Sequence, residues 1–154
     1  MIMGHVSGTP TTPETAPAPG AAPGDHAAFA KRVIAAEADA LQNIRPGDTF
    51  DHAVQLILDA PGSVVVSGLG KSGLVGRKLS ATFASTGTPS HFLHPVEAMH
   101  GDLGRVRRGD LVLLLSYGGA TDEVLSLGEL VRQDGVPTVG IMGRPDSPLA
   151  RLVD

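Results

Sequence analysis

Three clusters of residues in this chain carry groups able to do chemistry. The first, Gly68-Leu69-Gly70-Lys71-Ser72-Gly73, follows the β-branched run Val64-Val65-Val66. A buried strand that breaks into glycines and restarts as a helix gathers backbone N–H groups around one point. Those groups lack intrahelical partners and sit at the positive end of the helix dipole. With Lys71 and Ser72 beside them, the point favours an anion, usually a phosphate. The second cluster, Ser116-Tyr117-Gly118-Gly119-Ala120-Thr121, offers two hydroxyls and a glycine pair able to bend the backbone into an anion nest ahead of another helix. Glu123 falls in the first turn of that helix. The third cluster is His94, Glu97 and His100.

Each cluster also has a plainer explanation. Glycines at 68, 70 and 73 serve tight strand–helix packing, although that leaves Lys71-Ser72 in the crook of the turn unexplained. The second loop also fits an ordinary turn closed by a Thr or Asp cap. Two such loops at one sheet edge, however, fit one phosphate with a sugar lying between them. Gly68-x-Gly70-x-x-Gly73 formally matches the dinucleotide fingerprint, so an NAD-binding domain is a rival. That reading needs an acid at the end of the second strand, where the chain has Phe92-Leu93-His94-Pro95, with Glu97 beyond the proline. A Walker A loop is excluded, because the required glycine six residues before Lys71 is Val65. His94 and His100 flank Glu97 without an HExxH pattern, and one helical turn points them only roughly together. A hydrogen bond from His100 to sugar hydroxyls fits that segment better than a metal. Phosphate, Lys71 and Glu123 together suit proton abstraction next to a carbonyl: a lysine stabilises the enediolate and a carboxylate moves the proton.

The elements that position these groups follow from pattern. Residues 1–24 are rich in Pro, Thr, Ala and Gly and are expected to be a disordered tail. A helix is predicted from Asp25 to about Ile44, with Phe29, Val33, Ala36, Ala40 and Ile44 on one face. A second, capped by Asp48 or Thr49 with Val54, Ile57 and Leu58 inward, ends at Pro61-Gly62. Strand–helix alternation then begins: Val64–Val66, a helix with Leu74, Val75, Leu79 and Phe83 inward, Ser90–Leu93, and a loop with a short helical turn. Leu111–Leu115 is a strand buried on both faces, Asp122 to about Gln133 a helix with Val124, Leu127 and Val131 inward, and residues 138–142 a fourth strand. A last helix starts near Ser147. The expected fold is α/β, a three-layer doubly wound parallel sheet of flavodoxin-like type, with all three clusters at the carboxyl ends of the strands. Residues 25–62 form its N-terminal helices and residues 63–154 its core.

Bulk properties narrow the class. The 154 residues are 42% hydrophobic but only 3% aromatic, carry a net charge of −4, and include no cysteine. Disulfides, thiolate nucleophiles and cysteine-bound zinc are excluded. The basic residues are dispersed, unlike the face of a nucleic-acid binder. No apolar run approaches the roughly 18–20 residues of a bilayer span, and no secretory signal opens the chain. A cytoplasmic location is the expectation.

The blocks VVVSGLGKSGLVGRKLSATFASTGTPSHFLHPVEAMHGDLG, LLLSYGGATDEV and IMGRPDSPLAR closely resemble the sugar isomerase (SIS) domain of the arabinose-5-phosphate isomerases, from about Val64 onward. The resemblance implies interconversion of D-ribulose 5-phosphate and D-arabinose 5-phosphate through an enediol, supplying the lipopolysaccharide sugar Kdo. It implies no organic cofactor and a homo-oligomer, usually a tetramer. Position by position, Lys71 and Glu123 match catalytic residues. Gly87, Thr88, His94 and His100 match substrate-contacting positions, Ser116 and Thr121 the hydroxyl positions of the phosphate loop, and His94 also a position that binds an inhibitory metal. Ser72, Gly118 and Gly119 join the expected phosphate-binding set through the hydroxyl and N–H groups they offer. The phosphate loop departs from the family's S-N-S-G-E-[ST] at Tyr117, Gly118 and Ala120. The family's domain also runs on past the point matching Asp154, into a further catalytic glutamate and a late histidine, and CBS domains often follow. The fold is therefore expected to be incomplete at the C-terminus, with the faces of Leu111–Leu115 and of residues 138–142 under-covered. The second expectation is a catalytically incomplete module that binds a phosphosugar for regulation or persists as a gene remnant.

Overall fold

The computed structural model describes residues 25–154; the expected tail at 1–24 lies outside them. Helix α1, Asp25–Gln42, belongs to one compact unit and residues 46–154 form another. By itself α1 has no buried residue, with Ile34 and Leu41 both open, and Arg32 lies over the Phe29 ring at 5.6 Å.

The second unit contains α2 (Asp48–Asp59), β1 (Val64–Gly68), α3 (Gly70–Ser85), β2 (Ser90–Phe92), α4 (Pro95–Met99), a 3-10 turn at Asp102–Arg105, β3 (Leu111–Leu115), α5 (Asp122–Gln133), β4 (Thr138–Ile141) and α6 (Pro148–Leu152). All four strands are parallel, in the order β2-β1-β3-β4. The chain steps one way from β1 to β2, then crosses back to β3. Each parallel crossover turns right-handed, so reversing direction puts the crossover helices on opposite faces. Val64, Val66, Leu111, Leu113, Leu115 and Val139 pack on one face with Ala53 of α2 and with Leu79 and Phe83 of α3. Val65, Val112 and Leu114 pack on the other with Ala98 of α4, Val124, Leu127 and Val131 of α5, and Leu149 of α6. The expected three layers are present.

Several inner faces differ from expectation. On α3 the buried residues are Gly73, Gly76 and Ser80, while Leu74 and Val75 are exposed. The helix lies so close to the sheet that large side chains are excluded there: a Cβ on Gly76 would stand 3.1 Å from the Phe92 ring. On α2 the face turned inward is Ala53, Leu56 and Ile57, continued by Ala60 at the C-cap, with Val54 and Leu58 turned out. That helix begins after Gly47 with no side-chain cap bond. The faces of β3 and β4 expected to be under-covered are not: every residue of β3 is buried, as are Thr138, Val139 and Gly140 of β4. Helices α2, α3, α5 and α6 supply that cover.

At the amino ends of the strands, Asp110 ties β1 to β3. It is 5% exposed and accepts 2.8 Å bonds from the Ser63 and Arg107 N–H groups.

Candidate functional site

The reversal of strand order falls between β1 and β3, where an open α/β sheet leaves a crevice beyond its carboxyl edge. The two glycine-rich loops rise from this point. Gly68 pairs in register with Leu115, and Ser116 follows at once, so the loops start about 4.8 Å apart, one inter-strand spacing.

In the first loop the glycines do different work. A Cβ on Gly73 would come within 2.6 Å of the Gly68 carbonyl oxygen, so Gly68 and Gly73 are close-approach positions. Gly70 has φ of +57° with open space around it, and there glycine is needed for the backbone turn. Helix α3 starts at this residue, and Lys71 stands exposed in its first turn beside half-buried Ser72. Lys71 makes no ion pair among the described residues.

The second loop is closed on itself. Ser116 Oγ lies 2.9 Å from Thr121 Oγ1 and accepts a 3.1 Å bond from the Gly119 N–H. Thr121 occupies the N-cap of α5 and its carbonyl accepts from the Val124 and Leu125 N–H groups, but its hydroxyl makes no cap bond and is turned to Ser116. Glu123 is half-buried in the first turn of α5. A ring of bonds from the next loop braces the whole turn: Ser116 N–H to Ile141 O, Gly143 N–H to Tyr117 O, and Leu149 N–H to Gly119 O, the last at 2.9 Å. Ser147, the N-cap of α6, accepts from the Ala150 N–H and sits where a Cβ on Gly119 would collide with it. This bracing was missed from sequence, although Ser147-Pro148 carries the N-cap and N1-proline signature.

The structure thus gathers Lys71, Ser72, Ser116, Gly118, Gly119, Thr121 and Glu123 at one switch point. His94 joins the same edge as the N-cap of α4, half-buried, with Nδ1 buried and unpartnered among the described residues. His100 lies at the far end of α4 and is exposed, about 9 Å along the axis from His94. No group of three or more His, Cys, Asp or Glu able to hold a metal occurs among the described residues. Gly87 and Thr88 are not brought to this edge. They end α3 and precede Pro89, whose carbonyl accepts from the Val64 N–H at the start of β1. The length of a five-residue strand, roughly 16 Å, separates them from the loops within one chain.

In the edge strand β2, His91 is half-buried with an Nε2 unpartnered among the described residues. Burial, and then the nearby Arg105 guanidinium, hold its imidazole below the ordinary value, against an opposing pull from Asp110. Arg105 also donates to Phe92 O, and Arg77 lies 4.2 Å over the Phe92 ring, so two cations guard that open sheet edge.

The two loops, one with a lysine and one with a hydroxyl pair followed by a carboxylate, stand over adjacent strands of a parallel α/β sheet. The SIS domain family matches residues 56–154, and the chain belongs to that family. It is 47% identical over 127 residues to the arabinose 5-phosphate isomerase KdsD of Pseudomonas aeruginosa, covering 81% of this chain and 39% of that protein. The chain therefore spans about two fifths of the length of the curated relatives it matches. Among solved structures, Escherichia coli CFT073 c3406 in complex with arabinose 5-phosphate superposes with a TM-score of 0.82 at 37% identity, covering 87% of this chain and 72% of that one. The Vibrio vulnificus NanR protein complexed with ManNAc-6P gives 0.61 at 25% identity, covering 68% and 40%. No helix among the described residues is long and apolar enough to cross a membrane.

Proposed function

We propose that the two loops bind a pentose 5-phosphate and that the protein interconverts D-arabinose 5-phosphate and D-ribulose 5-phosphate as a homo-oligomer, without an organic cofactor. The observation that carries this reading is the placement of Lys71 and Glu123 in the first turns of α3 and α5, over adjacent strands. The second loop and the two helix N-termini receive the phosphate, with Ser116, Gly118, Gly119 and Thr121 around it and Ser72 across from them. Glu123 takes the proton from C2 of the open-chain aldose and returns it to C1 of the enediol, while the hydroxyl proton of O2 passes to O1. Lys71 neutralises the charge that develops on the enediolate oxygens. His94 and His100 face the sugar hydroxyls. The 47% identity to KdsD and the likeness to a structure holding arabinose 5-phosphate support the substrate. Gly87 and Thr88 reach a sugar only from another copy of the chain, consistent with a homo-oligomer. Glu123→Gln is expected to lower kcat by about 10²–10⁴ with the substrate still bound. Unchanged turnover in that variant would remove Glu123 from the reaction.

A second reading has its own support. NanR, which shares this fold, is complexed with ManNAc-6P. In this reading the module binds a phosphosugar without turning it over. Saturable binding of arabinose 5-phosphate with no formation of ribulose 5-phosphate would establish it over the first.

A further inference from the structure

Tyr117 joins the bonding network of the second loop only through its backbone, and its side chain makes no hydrogen bond among the described residues. It is 79% exposed, an unusual position for an aromatic ring in a chain that is only 3% aromatic. One edge of the ring nevertheless meets the neighbouring backbone. The Tyr117 carbonyl accepts from the Gly143 N–H, and a Cβ on Gly143 would come within 3.1 Å of ring atom Cε2 and 3.2 Å of Cδ2. One side of the ring therefore lies against bare backbone, and the rest stands in solvent. The neighbouring Gly118 has open space where a side chain would project, and Ala120 adds only a methyl group. The rim beside the proposed phosphate cradle is thus a braced aromatic ring next to a gap, with no charged side chain from 116 to 121.

Resting on the phosphosugar reading of the site, we infer that Tyr117 is a specificity-determining ledge for the carbon skeleton of the ligand. The phosphate is held by the loop's hydroxyls and N–H groups. The C–H face of the sugar lies on the exposed ring, over the space Gly118 leaves open. Amphipathic tyrosine suits this role, with an apolar face for C–H groups and a hydroxyl for a sugar oxygen. The ledge gives affinity for the sugar, and none for phosphate alone.

The chain holds one tyrosine and no tryptophan, so its tyrosine emission reports this rim directly. Titration with arabinose 5-phosphate is expected to change that emission saturably, with the midpoint found by calorimetry. Inorganic phosphate is expected to bind with little change in emission. Tyr117→Ala should weaken arabinose 5-phosphate by roughly tenfold, the order expected of one aromatic contact, and leave phosphate affinity unchanged. Tyr117→Phe should retain most of the affinity. If the parent binds the phosphosugar and Tyr117→Ala binds it equally well, the ledge is wrong and the site reading stands. Equal losses for phosphosugar and phosphate would also overturn it, making the residue a brace of the loop. If the parent binds no phosphosugar, the proposed function fails and the ledge with it.

Discussion

Replacing Gly73 by alanine separates a glycine kept for packing from one kept for a ligand. The new Cβ would stand 2.6 Å from the Gly68 carbonyl oxygen. That atom is backbone at the end of a fully buried strand, so it cannot swing away as a side-chain tip would. Helix α3 must recede by the better part of an ångström. Overpacking of this kind costs about 1–3 kcal/mol, and the better helix propensity of alanine returns under about 1 kcal/mol. A net loss of roughly 1–2 kcal/mol lowers Tm by about 4–12 °C in a domain near 100 residues. Gly104 supplies the control, since its Cβ would meet nothing within 4 Å; alanine there should change stability by less than about 0.5 kcal/mol. Thermal melts by circular dichroism, without ligand, compare the two. If Gly73→Ala melts together with Gly104→Ala, the close approach between β1 and α3 is not real, and the packing account of these glycines fails.

Asp110→Ala should remove about 1–3 kcal/mol, because two part-buried N–H groups lose a charged acceptor; urea unfolding measures it, and a loss under about 1 kcal/mol would contradict the tie. His91 titrates below its ordinary value of 6.5 when folded, so the unfolded chain binds the proton first. Stability should fall as pH drops from 6.5 toward the folded pKa, and His91→Gln should flatten that part of the profile in melts from about pH 7.5 to 5.5.

The strands and α5 were legible because their signals are local. The run Leu111–Leu115 has no reading other than a buried strand, and Val124, Leu127 and Val131 repeat at helical spacing and are all buried. Helix α3 was misjudged at its contact face for the opposite reason. Sequence periodicity looks for large apolar residues, while a helix pressed against a sheet presents Gly73, Gly76 and Ser80. The meeting of the two loops at one sheet edge was legible from the strand–helix alternation and the glycine placement. Their bracing was not, because Gly143, Ser147 and Leu149 reach the second loop from more than twenty residues away. The position of Gly87 and Thr88 depends on the sixteen-residue length of α3, which carries the chain back to the amino edge of the sheet.

The central claim is that both loops grip one ligand. Calorimetric titration of arabinose 5-phosphate into the parent, Lys71→Met and Thr121→Val tests it most directly, with melts confirming that each variant is folded. Hydrogen bonds to a charged group contribute about 1.5–3 kcal/mol, so each variant should bind at least roughly tenfold more weakly. An affinity equal to the parent's in either folded variant would show that its loop lies outside the site.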